Sequence, residues 1–193
     1  KWEANRGIGN SFGYNIAEGP EHLLSVDELV DSFIDIVSKN GNLLLNVGPR
    51  ADGTIPEMQL ERLRGLGRWL DVNGEAIFGT RPWVDAEGML VGEEVKVRFT
   101  YRPKHDEGNA EADTKRTDAV YALLLSKPKG RTIVFADVVP AGVDLRVTLL
   151  GSKGALRWKR VGDSLQVELP PALLESPAYA FAFSPQPKRL MTR

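Results

Sequence analysis

The chain has 193 residues, 42% of them hydrophobic and 26% charged, an ordinary globular composition with enough length to bury a sizeable core. Lys and Arg number 25 against 26 Asp and Glu, so the net charge of −1 removes a basic footprint and nucleic acid is not an expected partner. There is no cysteine and only two histidines occur, His22 and His105, which excludes disulfides, thiolate nucleophiles and cysteine metal sites and leaves no histidine cluster, so neither metal nor cofactor is expected.

Lys1-Trp2-Glu3-Ala4-Asn5 reads neither as a signal peptide nor as a natural chain start, and residue 1 is expected to fall inside a larger fold. Ser11-Phe12-Gly13-Tyr14 is a short strand-like run. Ser25-Val26-Asp27-Glu28 has the spacing of a capping box and opens a helix with Leu29, Val30, Phe33, Ile34, Ile36 and Val37 at intervals of three and four. Lys39-Asn40-Gly41 stops it. Asn42 to Val47 is nearly all apolar, the pattern of a parallel strand buried on both faces, and Gly48-Pro49 ends it. Asp52-Gly53 reads as a turn. Pro56 is placed at the first position of a second helix, striped by Leu60, Leu63, Leu66, Trp69 and Leu70 and closed by Asn73-Gly74. Strand, helix, strand, helix is the grammar of an α/β fold.

After Pro82-Trp83 the grammar changes. Short runs at 94–101, 119–125, 131–136, 144–150, 155–159, 164–169 and 178–183 are bounded by turns, and several alternate, as in Val95-Lys96-Val97-Arg98-Phe99. About seven such strands predict an antiparallel β-sandwich. Residues 102–118 read as a solvated hairpin loop that contains His105. The boundary falls near residues 78–88, giving a first domain over 1–83 and a sandwich over 84–193. The first 83 residues are too few to close a parallel sheet, whose strands need neighbours. An upstream segment or a partner chain is therefore expected, and self-association is open.

Composition leaves carboxylates as the expected catalysts, and glycoside hydrolysis is the chemistry that carboxylate pairs run alone. Glu3 beside Trp2 can be desolvated toward general-acid range, and an indole is a common sugar platform, although a half-buried ring with a solvated acid is the commoner reading. Phe12 and Tyr14 could face a pocket or pack a core. Asn46, near the end of the apolar strand, could bond a substrate or a loop backbone. His22, just before the helix cap, reads as a capping-loop residue. Trp69, Trp83 and Trp158 read as core or interface rings. No apolar run approaches the roughly 18 residues of a membrane-spanning helix, and no membrane partner is expected. The absence of cysteine and of Asn-x-Ser/Thr acceptors tilts the expected location toward the cytoplasm.

Trp2-Glu3, Ser11-Phe12-Gly13-Tyr14-Asn15, Gly41-Asn42-Leu43-Leu44-Leu45-Asn46-Val47-Gly48-Pro49, Asp52-Gly53-Thr54-Ile55-Pro56, Gly67-Arg68-Trp69-Leu70 and Asn73-Gly74-Glu75-Ala76-Ile77-Phe78-Gly79-Thr80-Arg81-Pro82-Trp83 stand in one order. In that order they resemble the C-terminal part of a retaining α-L-fucosidase. The resemblance is dense over residues 1–83 and looser beyond. It implies the last units of a (β/α)8-type barrel followed by an antiparallel sandwich, with residues 10–15 and 42–47 as its seventh and eighth strands. It also implies hydrolysis of terminal α-L-fucosides with retention, and a fucosylated glycan or glycoside as substrate. Glu3 matches the family's general acid/base, with Glu18 and Glu21 in reserve, and Trp2, Phe12, Tyr14 and Asn46 fall at the sugar site. The family's Asp nucleophile has no match here and would come from the upstream segment or partner chain. A non-catalytic carbohydrate-binding or structural module packing on a partner is the alternative.

Overall fold

The structure is a computed structural model that describes residues 1–104 and 118–189. His105 and nearly all of the expected 102–118 loop lie outside them.

The capping box forms as its spacing requires. The Glu28 amide donates to Ser25 Oγ at 3.1 Å, while Glu28 Oε2 accepts from the Ser25 amide at 2.8 Å. These bonds hold the Glu28 carboxyl below the usual carboxylate range and start helix α1 (Val26–Ser38). Asn40, at φ 67°, turns the chain out of it. Strand β2 (Gly41–Asn46) follows, then helix α2 (Glu57–Asn73), which starts one residue after Pro56. The expected Asp52 turn forms, with Gly53 at φ 83° and Asp52 Oδ1 accepting from the Thr54 amide at 2.9 Å.

The expected strand at Ser11–Tyr14 is corrected. The strand is β1 (Trp2–Gly7), and it pairs in parallel with β2 from Trp2↔Gly41 to Gly7↔Asn46. Residues 11–14 are a loop tied by side-chain bonds rather than a sheet element. Burial of β2 on both faces is also corrected. The helix α1 covers one face of the pair, while Glu3, Asn5, Asn42 and Leu44 on the other stay exposed, Leu44 at 51%.

Beyond Gly79 the chain is antiparallel. Strands β3 (Arg81–Met89), β4 (Lys96–Arg102), β5 (Ala119–Leu124), β11 (Tyr179–Ser184) and β8 (Arg146–Leu149) form a five-stranded sheet in that order. Strands β6 (Thr132–Phe135), β10 (Ser164–Glu168) and β9 (Trp158–Val161) form a three-stranded one, and β7 (Val138–Val139) pairs with β12 (Lys188–Arg189). The expected strands are present. β3 went unread because Pro82 and Gly88 interrupt it and its register shifts between Pro82 and Glu87. Since Arg81 pairs with Tyr101, the five-stranded sheet begins ahead of the 83/84 division.

Between the two sheets lies the sandwich core, where Phe135 meets Phe181 and Phe183 edge-on at 5.7 and 5.3 Å. A second core lies on the outer face of the five-stranded sheet. Residues 178–183 alternate Ala-Tyr-Ala-Phe-Ala-Phe. The aromatic members point into the sandwich, and Ala178, Ala180 and Ala182 join Tyr121 and Leu123 beneath Val30, Ile34, Trp69 and Ile77. Methyl-sized side chains let the helices approach the sheet. Trp69 Nε1 donates to the Ala178 carbonyl at 3.0 Å, and Thr100 Oγ1 donates to the Ala76 carbonyl at 2.7 Å, both bonds buried. All six residues of β5 are buried as a result. Trp69 and Trp83 are core rings as expected, and Trp158 is half-buried against the sandwich core.

A polar rim edges this seam. Burial opposes ionisation of Asp35, but hydrogen bonds from Lys39 and Arg98, the latter at 2.6 Å, win and hold its carboxyl low. Asp31, one turn earlier, has no such bond to its buried Oδ1, and burial followed by the nearby Asp27 carboxylate pushes it up to about 6.

Two outcomes follow from the seam. Ala180→Leu overpacks it and should cost about 1–3 kcal/mol, read as a fall in Tm. A raised folded pKa means that Asp31 stabilises the fold below its unfolded value and loses that contribution as pH rises through about 6. Asp31→Asn should therefore raise Tm at neutral pH, by on the order of 1 kcal/mol after solvent screening at this half-exposed site, with no difference near pH 4.

Candidate functional site

Parallel strands place their C-terminal ends side by side, and here those ends are Gly7 and Asn46. The loop leaving β1 begins and ends on buried Ile8 and Leu23, and the Leu24 amide closes it onto the Ile8 carbonyl at 2.9 Å. Inside that loop Glu18 Oε1 accepts from the Ser11 amide at 2.6 Å. Asn15 Nδ2 donates to Ser11 Oγ at 3.1 Å, and Asn15 Oδ1 accepts from the Ala17 amide at 3.0 Å. The Glu18 carboxylate lies so close over Gly9 that a Cβ there would sit 2.4 Å from Oε2.

The loop leaving β2 packs on this one. Asn46 Nδ2 donates to the Phe12 carbonyl, so of the two options for this amide the structure shows the loop backbone. The Gly48 amide donates to buried Gln59 Oε1 at 2.9 Å. A Cβ on Gly48 would lie 2.8 Å from backbone atoms of Gly13 and Tyr14, so only glycine permits the contact. Arg50 then reaches over the Tyr14 ring at 5.7 Å. Phe12 and Tyr14 are 56% and 43% exposed at this end, and a cleft is lined by Tyr14, Asn15, Glu18 and Arg50.

Phe12, Tyr14, Asn46 and the reserve residue Glu18 are thus brought together. Trp2 and Glu3 are not. Glu3 pairs with Asn42 at the start of β1, four residues before Gly7, which is roughly 13 Å of strand. Trp2 clamps the same far end, its Nε1 donating to the Lys39 carbonyl at 2.9 Å and its ring filling the space above Gly41. Glu21 is exposed on the short turn Pro20–His22. Arg50, two residues after Gly48 on the loop at a strand's C-terminal end, lines the same cleft, and the sequence reading does not single it out. Among the described residues no three His, Asp or Glu side chains gather as metal ligands. The arrangement offers one carboxylate, two exposed aromatic rings and a cation on an open face.

Comparison with known proteins shows the family. Residues 1–75 match the family model described as alpha-L-fucosidase, and residues 95–184 match that of the alpha-L-fucosidase C-terminal domain. An α-L-fucosidase of Branchiostoma floridae is 33% identical over 175 residues, 89% of this chain and 35% of its own length. Human plasma α-L-fucosidase is 34% identical over 172 residues, covering 88% and 34%. Among solved structures, Thermotoga maritima α-fucosidase in complex with fucose superposes with a TM-score of 0.77 at 40% identity, over 94% of this chain and 39% of that one. The same enzyme with a mechanism-based inhibitor gives 0.80. The chain belongs to the α-L-fucosidase family. It spans about a third of the length of the curated relatives it matches.

Gly48→Ala should cost about 1–3 kcal/mol, because the atoms it meets are backbone and cannot rotate away. Thermal unfolding, with amide shifts at Gly13 and Tyr14, checks this; an unchanged Tm would mean the two loops do not depend on the contact.

Proposed function

We propose that this chain forms the acid/base side of an exo-acting α-L-fucosidase site that cleaves terminal α-L-fucosides with retention. On this reading β1, α1, β2 and α2 are the last units of a (β/α)8-type barrel, and residues from Arg81 onward are its C-terminal sandwich. The outer edges of the two-stranded β1–β2 sheet are where the rest of the barrel would pair, and its open face, with exposed Leu44, would turn toward the barrel interior. That further segment, in the same chain or a partner, supplies the Asp nucleophile.

The observation that carries the proposal is the position of Glu18 at the C-terminal end of the parallel pair, among Phe12, Tyr14 and Asn46. Barrel enzymes place their chemistry at that end. The acid/base role therefore moves from Glu3, at the opposite end, to Glu18. The Asp attacks the anomeric carbon while Glu18 gives its proton to the departing glycosidic oxygen. Glu18 then takes a proton from water as that water attacks, and fucose leaves with its original configuration. The carboxyl groups lie roughly 5–5.5 Å apart in such a mechanism. The Phe12 ring offers apolar contact to the C6 methyl of fucose, and Asn46 orients Phe12 through its backbone. Trp2 acts as a structural clamp.

The test is made on the full-length enzyme that contains this segment. Glu18→Gln should slow aryl α-L-fucosides with poor leaving groups by roughly 10²–10⁴-fold and activated ones less. Azide should restore turnover and give the α-fucosyl azide, since it attacks the fucosyl-enzyme after one inversion. Glu3→Gln should leave the leaving-group dependence unchanged. The reverse pattern, with Glu3→Gln alone responding to azide, would return the role to Glu3.

A further inference from the structure

We infer that His22 is a positioning residue for the loop that carries Glu18, and that it acts only as the neutral imidazole. The inference rests on the assignment of Glu18 as acid/base. It starts from one nitrogen with two neighbours. His22 Nδ1 accepts from the Gly19 amide at 3.0 Å, and Glu21 Oε1 lies 3.3 Å from the same atom. A ring nitrogen that accepts a peptide N–H carries no proton, so this geometry requires the tautomer with hydrogen on Nε2. Protonation would set two donors, Nδ1–H and the Gly19 N–H, against each other. The carboxylate of Glu21 is already in place for the new donor, folded back so closely that a Cβ on Gly19 would sit 2.5 Å from its Oε2.

The turn therefore has two mutually exclusive hydrogen-bond states. With neutral His22 the Gly19 amide is held and Glu21 is solvated. With the imidazolium, Nδ1–H goes to Glu21 and the Gly19 amide is released. Gly19 follows Glu18 directly. Glu18 is otherwise tied by its carboxylate to the Ser11 amide and by its own amide to the Asn15 carbonyl at 3.2 Å. The Gly19 carbonyl keeps its bond from the His22 amide at 3.0 Å, so losing the Gly19 amide bond loosens the C-terminal side of the acid without releasing it and shifts the carboxylate. The charged groups around the turn are Glu21 on it, Glu18 before it and, from α2, Arg62, whose Nε donates to the Leu24 carbonyl at 3.0 Å and whose guanidinium lies beside Glu61.

The experiment uses the full-length enzyme, an aryl α-L-fucoside with a poor leaving group and kcat measured from about pH 5 to about pH 8. His22→Ala, which removes the acceptor, should lower kcat about tenfold at neutral pH with KM little changed, because a misplaced catalytic group loses rate steeply. His22→Asn puts a non-titrating acceptor near the Nδ1 position. It should restore neutral-pH kcat to within about twofold and raise the ratio of kcat at about pH 5 to that at about pH 7 by about threefold. An unchanged pH profile in His22→Asn, or an unchanged kcat in His22→Ala, overturns the inference. Glu18→Gln is measured in parallel. If it leaves poor leaving groups unaffected, the acid/base assignment fails; if it is severe while the His22 variants are silent, only the inference about His22 fails.

Discussion

The fold depends on a seam of small residues. A parallel pair of strands with one helix-covered face does not stand alone. What holds it is the contact of α1 and α2 with the outer face of the five-stranded sheet, and that contact exists because every second residue of 178–182 is alanine. The alternation serves two cores at once: Tyr179, Phe181 and Phe183 fill the sandwich while Ala178, Ala180 and Ala182 admit the helices. Trp69 makes the seam directional, since its indole must lie where the Ala178 carbonyl can accept. Only some positions of α2 are deeply buried, Gln59, Gly65, Trp69 and Asn73, and each meets a neighbouring element or the helix's own backbone.

The site inherits its geometry from that seam. Once α1 and α2 are fixed, β1 and β2 can only leave their C-terminal ends together, and two loops must share the space beyond them. Gly48 resolves the crowding by letting backbone lie on backbone, and Gln59 reaches from α2 to hold its amide. Glu18 is then held by backbone and side-chain bonds within its own loop, in keeping with a group that must be aimed before substrate arrives. The exposed rings and the open sheet face beside it fit a site completed by further barrel strands.

Local chemistry made much of this legible in the sequence. The Ser25–Glu28 capping box, the Asn40-Gly41 stop and the alternating sandwich strands depend on neighbours a few residues away, and they form as read. β1 was not legible. Trp2-Glu3-Ala4-Asn5-Arg6-Gly7 shows no apolar alternation, since one side of it is polar and open and the other meets a helix through mixed side chains. Ser11–Tyr14 has strand-like residues, but Glu18 and Asn15 fold it into a loop from four to seven residues away. The proposed choice of Glu18 over Glu3 and Glu21 rests on where that strand lies. Which acid lies at the C-terminal end of the parallel pair depends on where the strand starts and which way it runs, and neither is encoded in a Trp-Glu pair.

On the proposed reading the chemistry sits at the Gly7–Asn46 end of the parallel pair. The most direct measurement is a crystal structure of the full-length enzyme trapped as its fucosyl-enzyme intermediate. The Glu18 carboxylate is expected within hydrogen-bond reach, roughly 2.6–3.2 Å, of a water poised at the anomeric carbon. Phe12 should lie against the sugar, and Glu3 at the far end of its strand, on the order of 10 Å away. A sugar seated at Glu3, with Glu18 pointing away from it, would overturn the assignment of Glu18.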